Sequence, residues 1–209
     1  MLISRGNLKL GRLPSFSLPV MTTCPGKTPF CDRYCYGLKG MFTLPQIKQK
    51  NEMRLEASEK SDFVPTIVEE IRKTRTPAFR LHVIGDFYSV KYIEKWIQIA
   101  TILDDVIFFG STRSWRCDFL ALTLKEFRDL PNVYMKASID ATDDLDPFSC
   151  GWRVWSIEGE GLPCPHDFQL VEDCARCGRC WTQKDTDTSF RLRWGRQTDY
   201  LALAFKESR

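Results

Sequence analysis

Ala78-Phe-Arg-Leu-His-Val-Ile-Gly-Asp-Phe-Tyr-Ser89 is the stretch on which the fold turns. Its apolar run 78–84 reads as a strand, stopped by Gly85-Asp86. Ser89 is placed to cap a helix running to Leu103, with Tyr92, Ile93, Trp96, Ile97 and Ile99 on its apolar face. The same grammar repeats downstream. Val106–Phe109 reads as a strand ending in Gly110-Ser-Thr-Arg-Ser114, and a helix spans about Phe119 to Leu130 until Pro131-Asn132 breaks it. Val133–Ala137 is the next strand, ending in Ser138-Ile-Asp140, and Arg153–Ile157 is one more. Short apolar strands separated by helices are the pattern of βαβ units and a parallel sheet. About five units are visible against the eight of a closed barrel. The expected fold is therefore α/β, a partial (β/α) barrel.

Upstream, two helices are expected. One spans Leu44–Glu59, with Thr43 as its cap and Pro45 in its first turn. The other spans Val64–Thr74, with Val64, Ile67, Val68 and Ile71 at helical spacing and Asp62 as its cap. Residues 1–160 are expected to form the barrel and 161–209 an irregular, cysteine-rich extension. The tail Phe190-Arg-Leu-Arg-Trp-Gly-Arg196 alternates Phe190, Leu192 and Trp194 with arginines, which favours a strand with one wet face. Arginine beside exposed aromatics also suits nucleic acid, a weaker expectation.

Seven of the nine cysteines fall into two groups. Cys24, Cys31 and Cys35 form a C-x6-C-x3-C triplet; Cys164, Cys174, Cys177 and Cys180 form a quartet with two C-x2-C steps sharing Cys177. Thiolates so spaced can converge on one centre, so metal or iron–sulfur binding is favoured over disulfides or buried free thiols. A triplet leaves one coordination position open, whereas a quartet can close its site. The shared Cys177 suits a [4Fe-4S] cluster better than tetrahedral zinc, which stays as the alternative at the quartet. Cys117 and Cys150 read as small buried hydrophobes. With 43% hydrophobic and 27% charged residues and a net charge of +3, the chain reads as an ordinary globular protein. It shows neither a signal-peptide pattern nor a membrane span, so a reducing, cytoplasmic setting is expected.

Ligands of parallel α/β sheets bind at the carboxyl ends of the strands. Here those ends carry Gly85, Asp86, Ser111, Arg113, Ser138 and Asp140, and the triplet precedes the first of them. His82, within the first strand, reads either as structural or as a fourth ligand of the triplet.

A three-cysteine loop after the first strand of a partial barrel, with Tyr34 immediately before Cys35, resembles the radical S-adenosylmethionine proteins. That resemblance implies an open [4Fe-4S] cluster on the triplet, S-adenosylmethionine as cofactor, an electron donor as partner and radical chemistry. The usual spacing in that superfamily is C-x3-C-x2-C, from which this chain departs. The resemblance also implies Gly85-Asp86 at the cofactor's amino group and Ser111, Arg113, Ser138 and Asp140 at its ribose and carboxylate. A second resemblance is to the gene-product-88 family of phage and plasmid proteins. It rests on Thr23-Cys-Pro-Gly26, Cys35-Tyr36, His82–Ser89, Thr112-Arg-Ser-Trp115 and Cys180-Trp181, across about residues 15–181. Two further functions are kept: a non-enzymatic iron–sulfur or zinc module binding nucleic acid or a host protein, and an electron carrier. Loss of Asp86 is expected to separate the enzyme, through lost cofactor affinity on an intact fold, from the binding module.

Overall fold

A computed structural model of the protein describes residues 1–192; Arg193, Trp194 and Arg196 of the arginine-rich tail lie outside them. The strands are β1 (Ala78–Arg80), β2 (Ile107–Thr112), β3 (Val133–Ile139), β4 (Val154–Ile157), β5 (Leu162–Pro163) and β6 (Thr188–Phe190). All pair in parallel, in the order β1-β2-β3-β4-β6-β5, to make a curled half-barrel. The α/β partial barrel is as the apolar runs imply.

Each strand sends alternate residues to opposite faces. Phe79, Phe108, Val133 and Val154 enter the main core with the helices α3 (Phe63–Thr74), α4 (Val90–Ile102) and α5 (Asp118–Asp129). At its centre the fully buried Trp96 ring packs 5.6 Å from Phe16, 5.8 Å from Phe63 and 5.9 Å from Phe79. Burying a ring of this size contributes on the order of 2–3 kcal/mol. Ser89 caps α4 by accepting from Tyr92 N at 3.3 Å.

The opposite, concave face carries Ala78, Phe109 and Trp155, packed against Tyr134, Cys174, Cys180, Trp181 and Phe190. The cysteine-rich extension therefore sits on the inner face of the sheet, and it also supplies β5 and β6. It is less irregular than expected.

Several boundaries differ from the sequence reading. The ladder of β1 stops at Arg80. Beyond it the backbone turns to the N-terminal segment, where Val83 N donates to Phe16 O at 3.2 Å and Leu18 N to Ile84 O at 2.9 Å. The helix–strand alternation lapses between β3 and β4, which are joined by a loop with only a 3-10 turn, Phe148–Cys150. Thr43 does not cap helix α2 (Pro45–Glu59), because Leu44 holds that position and the Thr43 hydroxyl donates to Gly40 O. Asp62 stands at the N-cap of α3 but makes no side-chain cap bond. No helix among the described residues is long and apolar enough to cross a membrane.

Candidate functional site

The triplet enters on a loop and one short helix, α1 (Pro29–Tyr34), which carries Cys31, with Cys35 just past its end. Gly26 holds this loop against β2's exit: a Cβ there would stand 2.0 Å from Arg113 O. Met21 contributes a backbone hydrogen bond at Cys24, as do Gly37 and Leu38 at Cys35, favouring thiolate at each. Burial opposes them, raising Cys35 and pushing Cys24 up to about 12, with Asp86 and the neighbouring thiols adding in the same direction at Cys24.

The quartet comes from the end of β5 (Cys164) and two one-turn helices, α6 (Cys174–Cys177) and α7 (Arg179–Thr182), with Gly178 at φ 75° between them. Burial pushes Cys180 up to about 12, and Cys174, Cys164 and Cys177 all lie near enough to affect it, while Arg80 pulls it down. Buried thiols that repel one another as anions are stable as thiolates only around a shared positive centre. All nine cysteines are free of disulfides. Among the described residues, no three His, Cys, Asp or Glu side chains are so placed that they could hold a metal ion as they stand. Each donor set is all sulfur, with backbone hydrogen bonds toward Cys24 and Cys35 in the triplet.

Both cysteine groups open into one cavity of about 960 Å³. Gly85, Asp86, Ser111, Arg113 and Ser138 line it as well, so one space brings together twelve of the thirteen expected site residues. Asp140 is not in its wall. It accepts from the Arg113 guanidinium, from Thr142 and, at 3.4 Å, from Thr28 of the triplet loop. Arg113 also reaches Asp143 at 3.1 Å. Burial pulls the Arg113 pKa down, but Cys31 and Asp140 outweigh it and the balance is upward.

A family model described as Gene product 88 matches residues 1–154. The chain belongs to the gene product 88 family. A Gene 88 protein of Mycobacterium phage D29 is 26% identical over 209 residues, covering 84% of this chain and 85% of the relative. The Gene 88 protein of Mycobacterium phage L5 is 27% identical over 212 residues, with the same coverage. No solved structure matches. The matched span of this gene product 88 protein holds the triplet and the strand ends and stops short of the quartet.

Asp86 corrects one expectation. Its buried carboxylate accepts from Thr112 Oγ1 at 2.6 Å, Phe87 N at 2.8 Å, Arg113 N at 2.7 Å and Ser114 N at 3.2 Å. Four donors use the acceptor capacity of a carboxylate. Burial raises its pKa while these bonds pull it down. Asp86 therefore ties the β1 exit to the β2 exit, and its loss cannot leave the fold untouched. Asp86→Ala is expected to cost on the order of 4 kcal/mol, because it strands buried donors at about 1–3 kcal/mol each. Urea midpoints would show this; an unchanged midpoint would mean that the loops are held by other contacts.

His82 is resolved toward structure. Its Nε2 meets Tyr92 Oη at 2.8 Å, inside a ring of aromatics that includes Phe87 at 4.7 Å. Burial, then Arg80, lowers its pKa to about 3. The sequence reading missed α2 altogether as a site element. Its buried residues are Asn51, Arg54 and Ser58, a polar inner face where an apolar stripe is the rule. Arg80 was also missed; it lies 4.3 Å from the Trp155 ring, near Cys174 and Cys180.

Proposed function

We propose that this gene product 88 protein is an iron–sulfur enzyme. In this reading Cys24, Cys31 and Cys35 hold a [4Fe-4S] cluster whose open iron binds S-adenosylmethionine, for radical chemistry on a substrate in the same cavity. One observation carries it: the triplet, the quartet and the polar strand ends line a single space of about 960 Å³. That volume is at the upper end of small-molecule sites and suits a cofactor with a substrate. When bound, the cluster supplies one electron to the sulfonium.

The chain's own residues bind and orient. The open-backbone turn at Gly85 (φ 76°) and the hydroxyls of Ser111 and Ser138 offer polar contacts for an amino group and a ribose. Arg113, held by Asp140 and Asp143, places a fixed positive charge beside Cys31, which favours an anionic cluster. Arg80 does the same beside Cys174 and Cys180, where it favours any anionic four-thiolate centre; the shared Cys177 is what favours an auxiliary [4Fe-4S] cluster over zinc there. An external electron donor, in a reducing cytoplasm, completes the scheme.

The test is electron paramagnetic resonance on anaerobically purified, dithionite-reduced protein, with and without S-adenosylmethionine. A [4Fe-4S]⁺ signal that moves when the cofactor is added is the expected result. Cluster signals indifferent to it would sink the radical mechanism and leave an iron–sulfur binding module, and absence of iron would sink the cluster reading itself.

A further inference from the structure

The cavity wall is strongly basic. Eight lysine and arginine side chains line it against one carboxylate, Asp86, whose acceptors are already used. Several of the eight are accounted for. Lys9 pairs with Asp167, Lys27 with Asp32, and Arg113 with Asp140 and Asp143. Arg80 lies in the field of Cys174 and Cys180.

Lys50 and Arg54 are different. They stand one turn apart on α2 and both line the cavity, with Asn51 between them. Neither makes an ion pair among the described residues. Arg54 is 3% exposed; its Nε donates to Leu2 O, Nη1 to Asn51 Oδ1 at 2.8 Å and Nη2 to Ser4 Oγ at 2.6 Å. Three of its five N–H groups are thus used, leaving one on each terminal nitrogen. The nearby carboxylate, Glu70, accepts from the backbone N–H groups of Leu2 and Ile3; its charge favours both cations, but burial outweighs it at each. Burial lowers Arg54 to about 10, and burial followed by the Arg54 charge lowers Lys50.

Two like charges one turn apart, Arg54 buried and Lys50 half-buried, repel each other, and the polar inner face of α2 forgoes the packing an apolar stripe would give. An oxyanion in the cavity would remove both costs and use the guanidinium's remaining fork. We infer that Lys50, Asn51 and Arg54 form an anion subsite that holds a carboxylate or phosphate group of the cavity's ligand. Calling that ligand the substrate rests on the function proposed above; the subsite itself does not.

The experiment is isothermal titration of the as-isolated full chain with inorganic phosphate and with acetate, at constant ionic strength. It is repeated on Lys50→Gln and Lys50→Glu. Among the described residues the Lys50 side chain makes no hydrogen bond, so both variants should fold, with Lys50→Gln melting no lower than the parent. Saturable binding of phosphate or acetate is expected, weakened about tenfold in Lys50→Gln and abolished in Lys50→Glu. Preference for phosphate assigns a phosphorylated ligand, and comparable acetate binding assigns a carboxylate. No saturable heat, or equal affinity in all three proteins, overturns the subsite. The titration needs neither S-adenosylmethionine nor a reduced cluster. Anion binding without a cofactor-dependent resonance shift would therefore sink the radical reading and keep the subsite.

Discussion

Gly110→Ala is expected to abolish cooperative folding. A Cβ at this position would stand 1.5 Å from Leu81 O and 2.6 Å from Leu81 C, which is backbone and cannot rotate away. Gly110 is in β2, and Leu81 N donates to Phe109 O at 2.8 Å, so relieving the clash means breaking the β1–β2 seam. That seam places Asp86 against the Arg113 turn and buries Phe79 and Phe108 beneath Trp96. Its loss is expected to exceed about 5 kcal/mol, the lower end of a domain's whole stability. Gly151→Ala is the control. Its φ of 73° imposes conformational strain of about 1–2 kcal/mol, but its nearest neighbour is an arginine nitrogen 3.7 Å away. Urea unfolding followed by near-ultraviolet circular dichroism separates the two. A native-like Gly110→Ala with the parent midpoint would contradict the close approach of these strands.

The contrast between what the chain displays locally and what it hides follows from range. Strands β2 and β3 and helices α3 to α5 are legible because apolar spacing encodes burial over a few residues. Ser89 as a cap is legible for the same reason. The N-terminal segment is not. Ile3, Phe16 and Leu18 belong to the main core, but they reach it by pairing with residues more than sixty positions away, without regular alternation. Asp86 looks like a ligand when only its own turn is considered. Its partners Thr112, Arg113 and Ser114 lie 26 to 28 residues on, and only the parallel crossover brings them to it. The polar face of α2 is visible as an absence of amphipathic pattern, a signal that marks a helix as exposed unless something shows that its inner side is wet. That both cysteine groups share one cavity is a property of sheet curvature and of the extension's docking, and neither has a local signature.

Cys177→Ser is expected to remove about four irons per chain, or one zinc if the quartet holds zinc, and to open residues 161–192 to protease while the rest of the sheet survives. Cys35→Ser should remove the triplet's share of iron and leave that region protected. The asymmetry follows from how each group is held. The triplet loop is fixed without metal by Gly26 against Arg113 O, by Thr28 to Asp140, and by Tyr36, whose hydroxyl donates to Val83 O. Among the described residues the extension has two α-helices of one turn each, a 3-10 turn at Pro165–Phe168 and two strands of two and three residues. Helices that short do not persist on their own, and strands that short bring few ladder bonds. Its anchors to the barrel include Cys174 N to Lys9 O at 2.7 Å, Lys184 Nζ to Leu130 O at 2.8 Å, Val154 N to Asp187 Oδ1 at 2.7 Å and the packing of Cys174, Cys180 and Phe190 on Phe109 and Trp155, and few of these reach the segment 164–182 that carries the quartet. A bound centre joining Cys164, Cys174, Cys177 and Cys180 would close this segment as a structural metal closes other small domains. Because the extension forms one wall of the cavity, its release should also raise the accessibility of Cys24, Cys31 and Cys35 to thiol reagents. Iron and zinc content, limited proteolysis and thiol labelling on the two variants together decide the point. Equal protease sensitivity in both would show that the quartet does not fasten the wall.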